Sequence, residues 1–186
     1  MKRFLLCLLI LGCVNFAWAG EEAGTERKEP SLMCCWWCNI KSTWQNGQIE
    51  GFLPVNTWHN RWVYDHSKAH SYNERPWGAG IGKYRIDKEG NRHRLVAMVF
   101  QDSHDKPEPS FAYSWQYLFR KEKTVRPTLG FMAGITFRDD YNWIPIPAVL
   151  PVLGVDIGNF SIENTYIPGL GGNNGNVLFT WVSWRF

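Results

Sequence analysis

Two short runs hold the residue types that ester chemistry needs: Thr57-Trp58-His59 and Gln101-Asp102-Ser103. An imidazole can take the proton of a hydroxyl or a water as its oxygen attacks an ester carbonyl, and a carboxylate can orient that imidazole. His59, Asp102 and Ser103 are therefore the candidate catalytic residues, with His104 beside them as a rival base. Strand geometry limits how they can combine. Adjacent residues of a regular strand point to opposite faces, so Asp102 and Ser103 can share one imidazole only where the strand ends or bulges. A linear Ser–His–Asp relay is not expected, whereas a looser grouping at a strand end is. A rim histidine with a turn-forming Asp-Ser pair fits the same residues and stays open.

A second suggestive run is Cys34-Cys35-Trp36-Trp37-Cys38. Zinc requires more ligands than this run supplies, and no second Cys-x-x-Cys pair follows it. No metal site is expected; in an oxidising compartment one local disulfide and one leftover thiol would result. Such a compartment is implied by the N-terminus. Lys2 and Arg3 precede an apolar run over 4–14, and Ala17-Trp18-Ala19 offers small residues around a cleavage point. Residues 1–19 thus read as a secretory signal peptide and 20–30 as a flexible lead-in. Cleavage ahead of Cys13, as in a lipoprotein, fits poorly with Leu11.

The elements that must position these residues come next. Met33, Trp36, Trp37, Ile40 and Trp44 recur at three- and four-residue intervals, which predicts an amphipathic helix over 31–46, stopped at Asn46-Gly47 and suited to a membrane interface. Packing on an ordinary core would use the same spacing. From residue 57 the texture changes to short alternating runs with turn residues between them. Runs near 57–64, 76–85, 92–100, 111–119, 129–137, 149–155, 160–167 and 176–186 give about eight strands. In the first, Trp58, Asn60, Trp62 and Tyr64 share one face, and His59 sits early on the other. The chain ends on Val182, Trp184 and Phe186 in alternation, an ending common among barrels inserted into outer membranes.

Composition favours the membrane version of this fold. The 186 residues include 11 Trp, 11 Phe and 7 Tyr, more than one small core requires. No mature stretch approaches the ~20 apolar residues of a spanning helix, and mean hydropathy is −0.31. An eight-stranded antiparallel transmembrane β-barrel over 52–186, preceded by the short helix, satisfies all three observations. A net charge of +3 is too weak to argue for nucleic acid. If the helix lies on the periplasmic side, strand parity sends the connections near 66–75, 103–110, 138–146 and 168–175 outward. Those near 87–91, 121–126 and 156–159 face the periplasm. Asp102 and Ser103 then belong to the outer rim. Pro54, Pro76, Pro151 and Pro168 fall near strand edges, where a missing N–H leaves gaps in pairing. Such gaps either punctuate turns or admit lipid sideways.

Several runs together carry a family resemblance. Thr57-Trp58-His59, Tyr72-Asn73-Glu74-Arg75-Pro76-Trp77-Gly78, Asp102-Ser103, Asn142-Trp143-Ile144-Pro145-Ile146-Pro147, Thr165-Tyr166-Ile167-Pro168-Gly169 and Asn173-Asn174-Gly175-Asn176-Val177 resemble the lipid A palmitoyltransferases of the PagP type. The similarity runs from about Trp44 to Phe186. It implies a tilted barrel in the outer membrane that moves an acyl chain, typically palmitate, from the sn-1 position of a phospholipid to a hydroxyl on an acyl chain of lipid A. It implies His59, Asp102 and Ser103 as the catalytic set and lateral gaps at Pro54 with Pro76 and at Pro151 with Pro168. No cofactor is implied, and the state expected is a monomer or weak homodimer. Two departures stand out. Ser114 occupies the position where the family commonly has a glycine at the floor of the acyl pocket, so a chain shorter than palmitate is expected. Gly169-Leu170-Gly171-Gly172 replaces a loop that often carries an aromatic residue. An outer-membrane esterase or phospholipase, or a barrel without activity, remains the alternative.

Overall fold

The computed structural model describes residues 32–60, 73–120, 122–169 and 176–186. The expected signal peptide, the lead-in and the loop positions 170–172 lie outside the described residues, as do Trp62 and Tyr64.

Helix α1 spans Leu32–Asn46. It ends where Gly47 N–H donates to the Thr43 carbonyl at 2.9 Å. A Cβ on Gly47 would come within 2.3 Å of that oxygen, so glycine is required for this close approach. Eight strands follow: β1 (Gln48–His59), β2 (Gly78–Ile86), β3 (Arg92–Gln101), β4 (Pro107–Leu118), β5 (Val125–Phe137), β6 (Pro145–Ile157), β7 (Phe160–Ile167) and β8 (Val177–Arg185). They form a closed barrel in sequence order, and every neighbouring pair, including β1 with β8, is antiparallel. The connections are short on the side where α1 enters; β6 and β7 are joined through Gly158, whose φ of +59° suits a tight hairpin.

The first strand differs from the sequence expectation. It begins at Gln48, directly after the helix, and His59 is its last residue rather than an early one. The register against β8 shifts between Pro54 and Asn56. Before this bulge Phe52 and Pro54 are buried; after it the buried positions are Thr57 and His59. The extra residue exchanges the faces and turns the imidazole into the barrel.

The two surfaces of the wall have opposite character. Outside, Ile81, Val99, Phe111, Leu129, Val149, Leu153 and Trp184 are exposed around the circumference. A water-soluble domain would leave this band as an aggregation surface, whereas hydrocarbon solvates it. Trp37 and Trp44 of α1 are exposed too, while Trp36 stacks on Phe131 of the outer wall at 5.8 Å. The helix is tied to the wall by Lys83 Nζ donating to the Trp44 carbonyl at 2.7 Å and Arg85 donating to Asn39 at 2.9 Å.

Inside, the barrel is divided into two layers. Near α1, Arg92, Arg94, Glu50, Asp156, Glu163 and Gln116 are all buried. Arg92 pairs with Asp156 and Glu163, and Arg94 with Glu50 and Glu163. Above this charged plug lies an apolar cluster of Phe52, Met98, Val152, Phe179 and Trp181, with Val96, Phe100 and Met132 packed against it.

Candidate active site

His59 and Ser103 meet at the end of the barrel remote from α1. The first is at the end of β1 and the second is in the turn after β3, strands that run in the same direction through the wall. His59 Nε2 lies 2.9 Å from Ser103 Oγ, and the imidazole is 2% exposed. Backbone bonds hold the two segments in place. Asn73 N–H donates to the Ser103 carbonyl and Thr57 N–H to the Glu74 carbonyl, each at 3.0 Å. Residues 73–74 thereby clip the end of β1 to the turn after β3.

Asp102 is placed differently. Its Oδ1 accepts the N–H groups of His104 at 2.8 Å and Lys106 at 2.9 Å. Its Oδ2 faces Arg138 at 3.4 Å and His104 Nδ1 at 3.9 Å. The carboxylate is therefore committed to shaping the turn that presents Ser103, as Asx side chains commonly do. The carboxylate facing the imidazole belongs to Glu74, with Oε1 3.8 Å from His59 Nδ1. His104 is half exposed and directed to Asp102 and Asp140, which leaves His59 as the buried imidazole beside Ser103.

Glu74 and Arg138 did not stand out in sequence. Glu74 is one charged residue in a polar run, marked only by its place ahead of Pro76 and the start of β2. Arg138 directly follows β5 and reaches Asp102, Glu108 and Asp140. The arrangement is a hydroxyl and an imidazole in hydrogen-bond contact at the mouth of a barrel whose next layer inward is apolar, in a wall that faces lipid.

The family model for the antimicrobial peptide resistance and lipid A acylation protein PagP matches residues 39–183. The chain belongs to the PagP family. It is 50% identical over 149 residues to the lipid A acyltransferase PagP of Laribacter hongkongensis (strain HLHK9), covering 80% of this chain and 72% of the relative. It is 49% identical over 150 residues to the protein of the same name from Yersinia enterocolitica serotype O:8 / biotype 1B (strain NCTC 13174 / 8081), covering 80% and 73%. The lipid A acyltransferase PagP of Pantoea ananatis (strain LMG 20103) aligns along the full length of both chains at 40% identity over 191 residues.

In this PagP-family barrel the four prolines lie at two interruptions of the wall. The β1–β2 ladder ends at Phe52↔Gly80, so Pro54 lies above the last pair, and Pro76 precedes β2. The β6–β7 ladder ends at Val152↔Thr165, leaving 145–151 of β6 without partners on β7; Pro151 borders this gap and Pro168 follows β7. At its lower edge Thr165 Oγ1 donates to the Pro151 carbonyl at 2.7 Å, a side-chain bond where the ladder stops. Both gaps open in the half of the wall on the side of His59. Ser114 is 3% exposed and points inward, paired with Arg94 on one side and Met132 on the other. It stands where the charged plug meets the apolar layer.

Proposed function

We propose that this protein transfers an acyl chain from the sn-1 position of an outer-leaflet phospholipid to a hydroxyl on an acyl chain of lipid A, releasing a lysophospholipid. The observation that carries the reading is the His59–Ser103 contact of 2.9 Å at the outer mouth of an apolar interior. Family membership supplies the reaction class, since relatives are named lipid A acyltransferases.

The donor reaches the interior sideways through the gaps at Pro54 with Pro76 and Pro151 with Pro168. Its acyl chain lies along the apolar layer beside the small inward residues Ala112, Gly134 and Ala148, which follow one another across adjacent ladders. Its ester stays at the polar rim. The acceptor oxygen attacks the ester carbonyl while His59 takes the hydroxyl proton. Collapse of the tetrahedral intermediate breaks the bond to glycerol, and the imidazolium returns the proton to the departing oxygen. Ser103 lies at the nitrogen where the hydroxyl is activated, and Asp102 holds the turn that carries it. Fixing ester and hydroxyl beside one base supplies much of the acceleration.

The test uses purified full-length protein in detergent, acyl-labelled phospholipid and lipid A. Label on lipid A is expected. Label appearing only as free fatty acid would make the enzyme a hydrolase, and no turnover would make the barrel structural. His59→Ala and Ser103→Ala are each expected to lower transfer at least ~100-fold; full activity in either removes that residue from the mechanism.

A further inference from the structure

Asp102, the carboxylate that residue type singles out as the partner of His59, is occupied elsewhere: two backbone N–H groups hold one oxygen, and Arg138 and His104 face the other. Glu74 is placed against the imidazole nitrogen remote from Ser103. Its backbone is fixed to β1 through the Thr57 bond, and its side chain is 27% exposed. We propose that Glu74 is the positioning carboxylate of the site: it keeps the His59 proton on Nδ1, leaves Nε2 free to accept from a hydroxyl, and stabilises the imidazolium formed as the acyl chain moves. The proposal rests on the transfer reaction inferred above and adds a residue to it.

The geometry divides the ring cleanly. Nε2 contacts Ser103 Oγ at 2.9 Å, and Nδ1 faces Glu74 Oε1 at 3.8 Å. A carboxylate at that range attracts a ring that gains a proton, and closer approach in the charged state strengthens the contact. Glu74 lies on the Nδ1 side of the ring, whereas His104 is turned toward Asp102 and Asp140. Glu74 contributes through its charge and place; it touches neither lipid.

Two measurements on the full-length protein in detergent test this. In Glu74→Gln, kcat for labelled transfer is expected to fall about tenfold, with KM for phospholipid within about twofold. The acidic limb of kcat/KM should move to lower pH, because the imidazolium has lost its partner. Glu74→Asp, which keeps the charge, should restore the position of that limb. Independently of turnover, NMR titration of the His59 ring should give a lower midpoint in Glu74→Gln than in the parent. Unchanged kcat, or a ring midpoint that does not move, would overturn the proposal. Absence of transfer in the parent protein would instead defeat the functional reading, and the ring titration would still report on Glu74.

Discussion

Ser114 is a single hydroxymethyl group with consequences for product chemistry. It lies at the border between the charged plug and the apolar layer, and its ladder neighbours Arg94 and Met132 are large. Exposing the end of an acyl chain to this polar border forfeits about 0.8 kcal/mol for each methylene kept out of the apolar layer. The preferred chain should therefore end short of palmitate. Mass spectrometry of lipid A from a host expressing the protein checks this, and undiminished palmitate selectivity would sink the idea. Ser114→Gly removes the hydroxymethyl group and should shift the product distribution toward longer chains. At this scale the sequence was partly legible. His59 and Ser103 drew notice because only a few residue types activate hydroxyls, and the structure brings the two side chains into contact. For Asp102 the sequence left a turn-forming role and a place at the site both open, because a carboxylate that caps backbone N–H groups two and four residues ahead looks the same in sequence as one aimed at a histidine. Glu74 was hidden because its place beside His59 depends on the fold, in which backbone bonds tie residues 73–74 to Thr57 and Ser103.

The elements were more legible than their ends. Alternation located β2 to β8 because inward and lipid-facing positions differ in size and polarity along each strand. It failed on β1, where the irregularity between Pro54 and Asn56 breaks the two-residue period and separates Phe52 from His59 in phase. Helix α1 was legible from its tryptophans, but they do not form one buried stripe. Trp36 packs one side on the wall and stays partly exposed, while Trp37 and Trp44 are more exposed still. Trp36→Ala should therefore destabilise the folded barrel by about 1 kcal/mol through its loss of ring contacts with Phe131 and Tyr113. Urea unfolding from bilayers measures it, and an unchanged midpoint would mean that the helix contributes nothing to the barrel. The turn between β2 and β3 predicts a pH effect. Burial alone would raise the Asp87 pKa, but bonds from His93 and Asn91 outweigh it and hold the carboxyl below its usual value. The stabilisation from this turn is thus present above the ordinary aspartate range and is lost as pH falls through the depressed pKa. Asp87→Asn should flatten the acid side of the stability profile, and a profile that keeps the parent's slope would refute this.

The whole molecule has its polarity turned inside out around a partition. Its outer surface is apolar over the band that lipid covers, and the end near α1 is closed by guanidinium and carboxylate groups. This interior was the least legible feature, since Arg92, Arg94 and Glu163 read in sequence as ordinary polar positions of alternating strands, Asp156 as part of a turn, and Glu50 lay ahead of the first expected strand. Barrel closure brings them together: Arg94 of β3 meets Glu50 of β1 and Glu163 of β7, and Ser183 of β8 donates to Glu50 at 2.8 Å. An ion network enclosed in this way is sensitive to loss of one member because the charges left behind cannot regain water. Arg94→Met should leave both glutamates short of a partner and cost about 3–5 kcal/mol of stability. Replacing Arg94, Glu50 and Glu163 together by apolar residues of similar volume should cost less than that single change, because no unpaired carboxylate remains at those positions while Arg92 keeps Asp156. Equilibrium unfolding of the two variants in the same bilayer decides the matter. A triple variant less stable than Arg94→Met would show that the network contributes net attraction beyond the mutual compensation of its charges.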